Sequence, residues 1–263
     1  DAARRIQLGL VPDPASQFAD ESRFVVAALL EPARAVGGDF YDCFMLDEKR
    51  LCFAIADVAG KGLPASLFMA VSKTLIGALV RRNRDLGLAM REMEAELDRV
   101  NPEMQFVTLF VGVLDVVSGE LEFVRAGHDA PLLLRAGNVD RIDAPAAAGP
   151  PLCVLGNYAY CAAKTRLQPG DQLCLFTDGA SEASDGETQF GAHRLGETCL
   201  ETLATAASLQ EQIQTLRDAV RRFESGRAPM DDLTLMLLRW HGAATPGLRS
   251  EEHTSELQSR YVI

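Results

Sequence analysis

The residues of this chain best placed to do chemistry are the aspartates of AVGGDFYD (Asp39), AIADVAG (Asp57), LFTDGAS (Asp178) and PMDDLTL (Asp231 and Asp232). Each stands where an apolar run starts or stops, beside a glycine, a short apolar residue or a second acid. Carboxylates offer hard oxygen donors, and a set of them converging on one place needs a cation. Oxygen-only ligands suit Mg²⁺ or Mn²⁺. Two such ions about 3.5–4 Å apart hold a water in line with a phosphorus atom and neutralise the oxygens of the displacement. Metal-assisted phosphoryl hydrolysis is therefore the chemistry that the rest of the chain must support.

Convergence depends on strands. DFYDCFML and LCFAIADV flank the polar patch Asp47, Glu48, Lys49 and Arg50, which reads as a hairpin. With the turn centred on Glu48, Asp39 faces Asp57, and the pairs Tyr41/Ile55, Cys43/Phe53 and Met45/Leu51 share their face. Facing residues have Cβ atoms about 4.5–5.5 Å apart, where like charges repel, and a divalent cation removes that penalty. A turn centred half a residue later pairs Asp39 with Val58 instead. Asp178 ends the apolar run LCLF, and Asp231 and Asp232 precede LTLMLLRW. If those strands are antiparallel neighbours, Asp39, Asp57, Asp178 and Asp231 all emerge on one edge. Gly37, Gly38, Gly60, Gly62 and Gly179 are then read as turn formers and as clearance for a phosphate. Alone, Gly-Gly-Asp and Thr-Asp-Gly are ordinary turn chemistry, and DVAGKG lacks the Walker spacing. Order and strand placement together carry the signal.

Around these acids the sequence places a buried strand at FVVAALL, a helix over Leu63 to Arg82 with Pro64 in its first turn, and a second helix through LAMREMEAELDRV. Strands follow in FVTLFVGVLDVVSGELEFVRAG, PLLLRAGNVDRI, LQPGDQLCLF and LTLMLLRW, with an amphipathic helix in SLQEQIQTLRDAVRRFES. Helices and strands in blocks predict an α+β fold with mainly antiparallel sheets and helices packed outside. A net charge of −11 argues against nucleic acid or an anionic membrane as partner. The six cysteines lack C-x-x-C spacing and read as small buried hydrophobes of a reducing compartment. No apolar run is read as reaching the roughly 18 residues of a membrane span, and no signal peptide opens the chain, so a cytoplasmic location is expected. RSEEHTSELQS, Arg249 to Ser259, resembles a translated sequencing-library adapter, so 249–263 is set aside within an expected disordered tail at 243–263.

Six ordered segments, PARAVGGDFYD, ADVAGKGLPASLFMA, FVTLFVGVLD, AGHDAPLLL, LFTDGASEA and DDLTLMLL, resemble the signatures of the stage II sporulation protein E-like branch of the metal-dependent (PPM) Ser/Thr protein phosphatases. The resemblance runs from about Arg4 to Trp240. It implies an αββα sandwich with a metal centre at one end, two Mn²⁺ or Mg²⁺ ions, and hydrolysis of phosphoserine or phosphothreonine on a partner protein. In this branch the partner is typically an anti-sigma factor antagonist of the STAS class. By the same resemblance Asp57 matches the acid bridging both metals, and Asp39 the other hairpin acid. These two are the catalytic pair that positions a metal-bridging water. Val58 offers a backbone carbonyl, Asp178 and Asp231 match the later metal acids, and Asp232 lies behind them. Arg34 stands near the place of a phosphate-binding arginine in eukaryotic relatives, a contact this branch generally lacks. His128 is read as a buried hydrogen-bonding group ahead of a general acid.

ARRIQLGL resembles the end of the helix that joins such phosphatases to an upstream sensor or receiver domain. Residues 1–15 are expected to be that linker, 16–242 the phosphatase domain, and the linker helix with the Leu63–Arg82 helix a switch linked to homodimerisation. The rival reading, a pseudophosphatase that only binds a phosphoprotein, expects a lost acid, and none of the four is missing. Pro-Pro-Leu-Cys153 and His128-Asp129-Ala130-Pro131 depart from the family pattern away from the acids, where they bear on substrate fit.

Overall fold

The computed structural model describes residues Ala2–Ala243; apart from Ala243, the expected tail at 243–263 with its adapter-like segment lies outside the described residues. Two short helices, α1 (Ala2–Leu10) and α2 (Pro14–Gln17), lead into β1 (Phe24–Glu31). The expected hairpin is β2 (Phe40–Met45) and β3 (Arg50–Val58), followed by α3 (Leu63–Arg82) and α4 (Leu86–Arg99). β4 (Val107–Asp115), β5 (Glu120–Ala126), β6 (Leu132–Arg135), β7 (Asn138–Arg141), β8 (Ala148–Gly149), β9 (Ala163–Arg166) and β10 (Gln172–Phe176) come next. The chain closes with α5 (Asp178–Ser181), α6 (Gly191–Thr205), α7 (Leu209–Phe223) and β11 (Leu233–Trp240).

One sheet has the order β1-β11-β10-β6-β7; the other runs β2-β3-β4-β5-β8, with β9 also on β5. All pairings are antiparallel except β5 with β8. The central strands β3, β4, β10 and β11 bury both faces, and their alternation sorts residues into layers. On β3, Leu51, Phe53 and Ile55 meet Phe24, Phe110, Phe123, Leu173, Leu175, Met236 and Trp240 between the sheets. Cys52, Ala54 and Ala56 face outward onto α3 and α4 through Phe68, Met69, Ile76 and Met90. On the far side Cys174, Phe176, Leu235 and Leu237 pack under α6 and α7 through Leu195, Cys199, Ile213 and Leu216. The result is the expected αββα sandwich with three apolar layers. Each fully buried Phe, Leu or Ile contributes about 1.5–3 kcal/mol.

Local chemistry explains the helix ends. Asp85 and Ser208 cap α4 and α7 by accepting from the N–H groups of Leu88 and Glu211. Arg81 and Arg82 close α3, and the Arg81 guanidinium lies 3.6 Å above the Phe44 ring. Two expectations, on α3 and on the cysteines, need correction, and one helix, α6, stands where none was expected. α3 is apolar and long enough to cross a membrane, with mean hydropathy 1.7; here it lays one face on the six-stranded sheet and pairs Lys73 with Asp42 at 2.9 Å. α6 escapes the sequence pattern because it begins on Gly191 at φ 79°, has no side-chain cap and carries Gly196 where it passes Val139. Among the cysteines, Cys161 is exposed and Cys153 half-buried, while the other four are buried.

Candidate metal centre

Strand parity brings the acids together. Tyr41 pairs with Ile55, Cys43 with Phe53 and Met45 with Leu51, which is the register centred on Glu48. The ladder continues through the Val58 N–H, which donates to the Gly38 carbonyl at 3.4 Å. Asp39 therefore faces Asp57, on the side of β2 and β3 that looks between the sheets. β10 and β11 are antiparallel neighbours with Phe176 opposite Leu235. Thr177 and Thr234 fall on their inner faces, and Asp178 and Asp231 lie just beyond.

The acids do not stand equally at the lip. Asp39 is buried, and the hydroxyls of Thr177 and Thr234 donate to its Oδ2 at 2.7 and 2.6 Å. Burial, then the charges of Asp57 and Asp232, push its carboxyl well above the ordinary range against those two donors. Asp57, Asp178 and Asp231 are partly exposed. Burial first, then Asp178 and Asp231, raise Asp57 to about 7, while a hydrogen bond with the Asp39 carboxyl opposes the rise. Burial, Asp231 and Glu182 raise Asp178 to about 6, opposed by the Gly179 N–H and by Lys61. Asp231 Oδ2 accepts from Lys61 Nζ at 2.7 Å, and the same ammonium donates to the Met230 carbonyl at 2.5 Å.

Asp232 lies behind this group. Its carboxylate accepts from the N–H groups of Ala33 and Gly38, both at 2.8 Å, and so ties the loop before Asp39 to the start of β11. The glycines are corrected accordingly. A Cβ on Gly37 would stand 1.6 Å from Asp232 Oδ2, one on Gly179 1.9 Å from the Asp232 carbonyl, and one on Gly38 2.4 Å from the Val58 carbonyl. These three make room for the protein's own oxygens, not for a phosphate. Gly60 and Gly62, at φ 101° and 78°, are turn formers as read. The Val58 carbonyl thus rests against Gly38, one residue from Asp39. Gln7, the buried residue of α1, clasps Gly37 from the other side, donating to its carbonyl and accepting from its N–H, both at 3.0 Å.

His128 is buried between Thr108 Oγ1, 2.9 Å from Nδ1, and the Phe176 carbonyl, 3.1 Å from Nε2. The carbonyl takes the Nε2 proton, so Nδ1 accepts from the threonine and the ring is neutral. Burial holds it down to about 4, which fits a structural role. Arg34 is exposed on the loop before Asp39. Thr177, Thr234 and Lys61 were missed by sequence reasoning. The two threonines sit one residue before Asp178 and two after Asp232, a spacing whose meaning appears only once β10 and β11 are paired.

Among the described residues no group of three or more His, Cys, Asp or Glu side chains is already closed into a metal cage. The donor set nevertheless fits hard divalent cations. Every candidate donor is oxygen, and Asp39, Asp57, Asp178, Asp231 and Asp232 gather with Lys61 as the ammonium paired among them. One lysine supplies positive charge where the carboxylates demand more of it.

The stage II sporulation protein E (SpoIIE) family model matches residues 47–241, and the chain belongs to that family. Its curated relatives include Protein IcfG of Synechocystis sp., 26% identical over 90% of this chain and 40% of that protein. Phosphoserine phosphatase RsbU of Bacillus subtilis is 25% identical over 83% of this chain and 64% of that protein. The chain thus spans less than two thirds of the length of either relative. The SiaA-PP2C domain of Pseudomonas aeruginosa shares the fold, with TM-score 0.76, 21% identity, and coverage of 91% of this chain and 94% of that one. The catalytic domain of the serine/threonine phosphatase PstP, solved with two manganese ions, shares it at TM-score 0.59 and 19% identity over 82% and 97% of the chains.

Proposed function

We propose that this chain is a metal-dependent protein phosphatase domain that hydrolyses phosphoserine or phosphothreonine on a STAS-class anti-sigma factor antagonist in bacterial signal transduction. The observation that carries this reading is a cation-poor cluster in which Asp39 faces Asp57 while β10 and β11 deliver Asp178 and Asp231 to the same end. Asp39, Asp57, the Val58 carbonyl, Asp178 and Asp231 would hold two Mn²⁺ or Mg²⁺ ions. When bound, such ions supply an activated water and neutralise phosphoryl oxygens.

The chain's own residues do the positioning. Thr177 and Thr234 orient Asp39 by occupying one of its oxygens, which leaves the other toward Asp57. Asp232 holds the Ala33–Asp39 loop in place through backbone N–H groups, and fixed ligands cost less reorganisation when charge develops. An upstream sensor or receiver domain, and a homodimer formed with it, would act on this loop through α1, because Gln7 grips Gly37.

The test is Mn²⁺-dependent phosphate release from a phosphorylated STAS-domain protein, with Asp57→Asn and Asp178→Asn alongside. The parent should turn over and both variants should not. Full activity in the variants, or none in the parent with an activator supplied, contradicts the mechanism; binding without turnover identifies a pseudophosphatase.

A further inference from the structure

We propose that a recess of about 440 Å³ beside the acids is an anion subsite that seats the phosphoryl-bearing side chain of the substrate, with Lys61 and Arg227 as its cationic contacts. This rests on the phosphatase reading and names the residues that would hold its substrate.

Asp178 and Asp231 form one wall of the recess, so whatever enters it meets the metal acids at once. A second recess, of about 240 Å³, opens beside Asp57 and Asp178, but its guanidinium is committed. There Arg125 donates to the His128 carbonyl at 3.1 Å and to Asp143 Oδ1 at 2.8 Å. The larger recess holds cations of another kind. Arg227 is exposed, and its side chain makes no hydrogen bond or ion pair with another described residue. Its guanidinium lies over Gly186, whose absent Cβ would fall 2.4–2.8 Å from Cζ and both Nη atoms. Glycine at φ 98° therefore gives that group a flat seat and leaves its N–H edge free, the geometry that suits phosphate oxygens.

Lys61 stands between Gly60 and Gly62, both at positive φ, and nothing lies within 4 Å of a Cβ at Gly62. Its ammonium now holds Asp231. Once Asp231 serves as a metal ligand, Lys61 loses that partner and can turn into the recess on its glycine pivots. The charges then favour an anion. Of the remaining carboxylates Glu224 is paired with Arg221 at 2.9 Å, and Glu182 alone opposes Lys61 and Arg227. Met230, 79% exposed, gives the rim an apolar contact for the peptide on either side.

The experiment is calorimetric titration of inorganic phosphate into the Mn²⁺-saturated parent, Lys61→Met, Arg227→Met and Lys164→Met, with thermal melts to verify folding and KM and kcat measured on a phosphoprotein. Lys61→Met and Arg227→Met should each weaken phosphate binding about tenfold or more and raise KM more than they lower kcat. Lys164→Met, on β9 by the hairpin end, should match the parent. Phosphate affinity within twofold of the parent in both recess variants overturns the proposal. So does a parent that binds no phosphate, or a Lys61→Met protein altered in Mn²⁺ affinity alone. A parent that binds phosphate through these residues yet hydrolyses nothing would refute the phosphatase reading and leave the subsite standing.

Discussion

Strand β10 has an aspartate near each end, and the fold treats the two in opposite ways. Asp171, 3% exposed, receives both Nε and Nη2 of Arg135 and the N–H of Gln168. Asp178, at the other end, has Asp57, Asp231 and Glu182 for neighbours, opposed by the Gly179 N–H and by Lys61 as the one cation. Burying a carboxylate is costly unless a cation or several donors accompany it. At the Asp171 end the sequence supplies that partner in the chain. At the Asp178 end it withholds one, and the missing positive charge is what marks the site.

The difference can be broken from either side. Asp57→Asn should lower metal-dependent turnover by about 10³-fold or more, since loss of one of the acids proposed to hold the ions would remove several kcal/mol of charge stabilisation. The same variant, melted without metal, should be more stable than the parent because a like charge has gone. Asp171→Asn should do the reverse. It strands the Arg135 guanidinium and costs about 3 kcal/mol in urea unfolding, while turnover per folded molecule is kept.

A smaller perturbation separates Asp39 from its support. Thr177→Val with Thr234→Val removes both hydroxyls from Oδ2 and should cost about 1–3 kcal/mol, with weaker Mn²⁺ binding by calorimetry. Unchanged Mn²⁺ affinity in that double variant would show that the threonines serve packing alone.

Acidity gives the finest probe. Asp57 and Asp178 have folded-state values raised to about 7 and about 6, above an ordinary aspartate near 3.9. A raised folded value contributes stability that is complete below about pH 4 and is lost as pH rises through 6 and 7. The metal-free midpoint should therefore fall across that window, and saturating Mn²⁺ should flatten the fall. Melts from pH 5 to 8, with and without the ion, check both slopes.

Much of this arrangement was legible in the chain. Pro64 and the 3.6 period delimit α3, and the polar patch around Glu48 marks the hairpin turn, while the choice between Asp57 and Val58 opposite Asp39 is made by the strand ladder itself. These are local signals, set by a turn or by one helix face. What the sequence hid depends on distant approach. The glycines of GGD look like clearance for a ligand until Asp232 is seen 1.6 Å from where a Gly37 side chain would start. Thr177 and Thr234 look like ordinary strand residues until two sheets meet over Asp39. The apolar length of α3 conceals that one of its faces belongs to a sheet.

The most direct test is the thermal midpoint of the parent and of Asp57→Asn at pH 8, each with and without Mn²⁺. A metal centre built on these carboxylates predicts a rise of several degrees in the parent and little or none in the variant. Equal rises in the two proteins, or no rise in the parent, would contradict it.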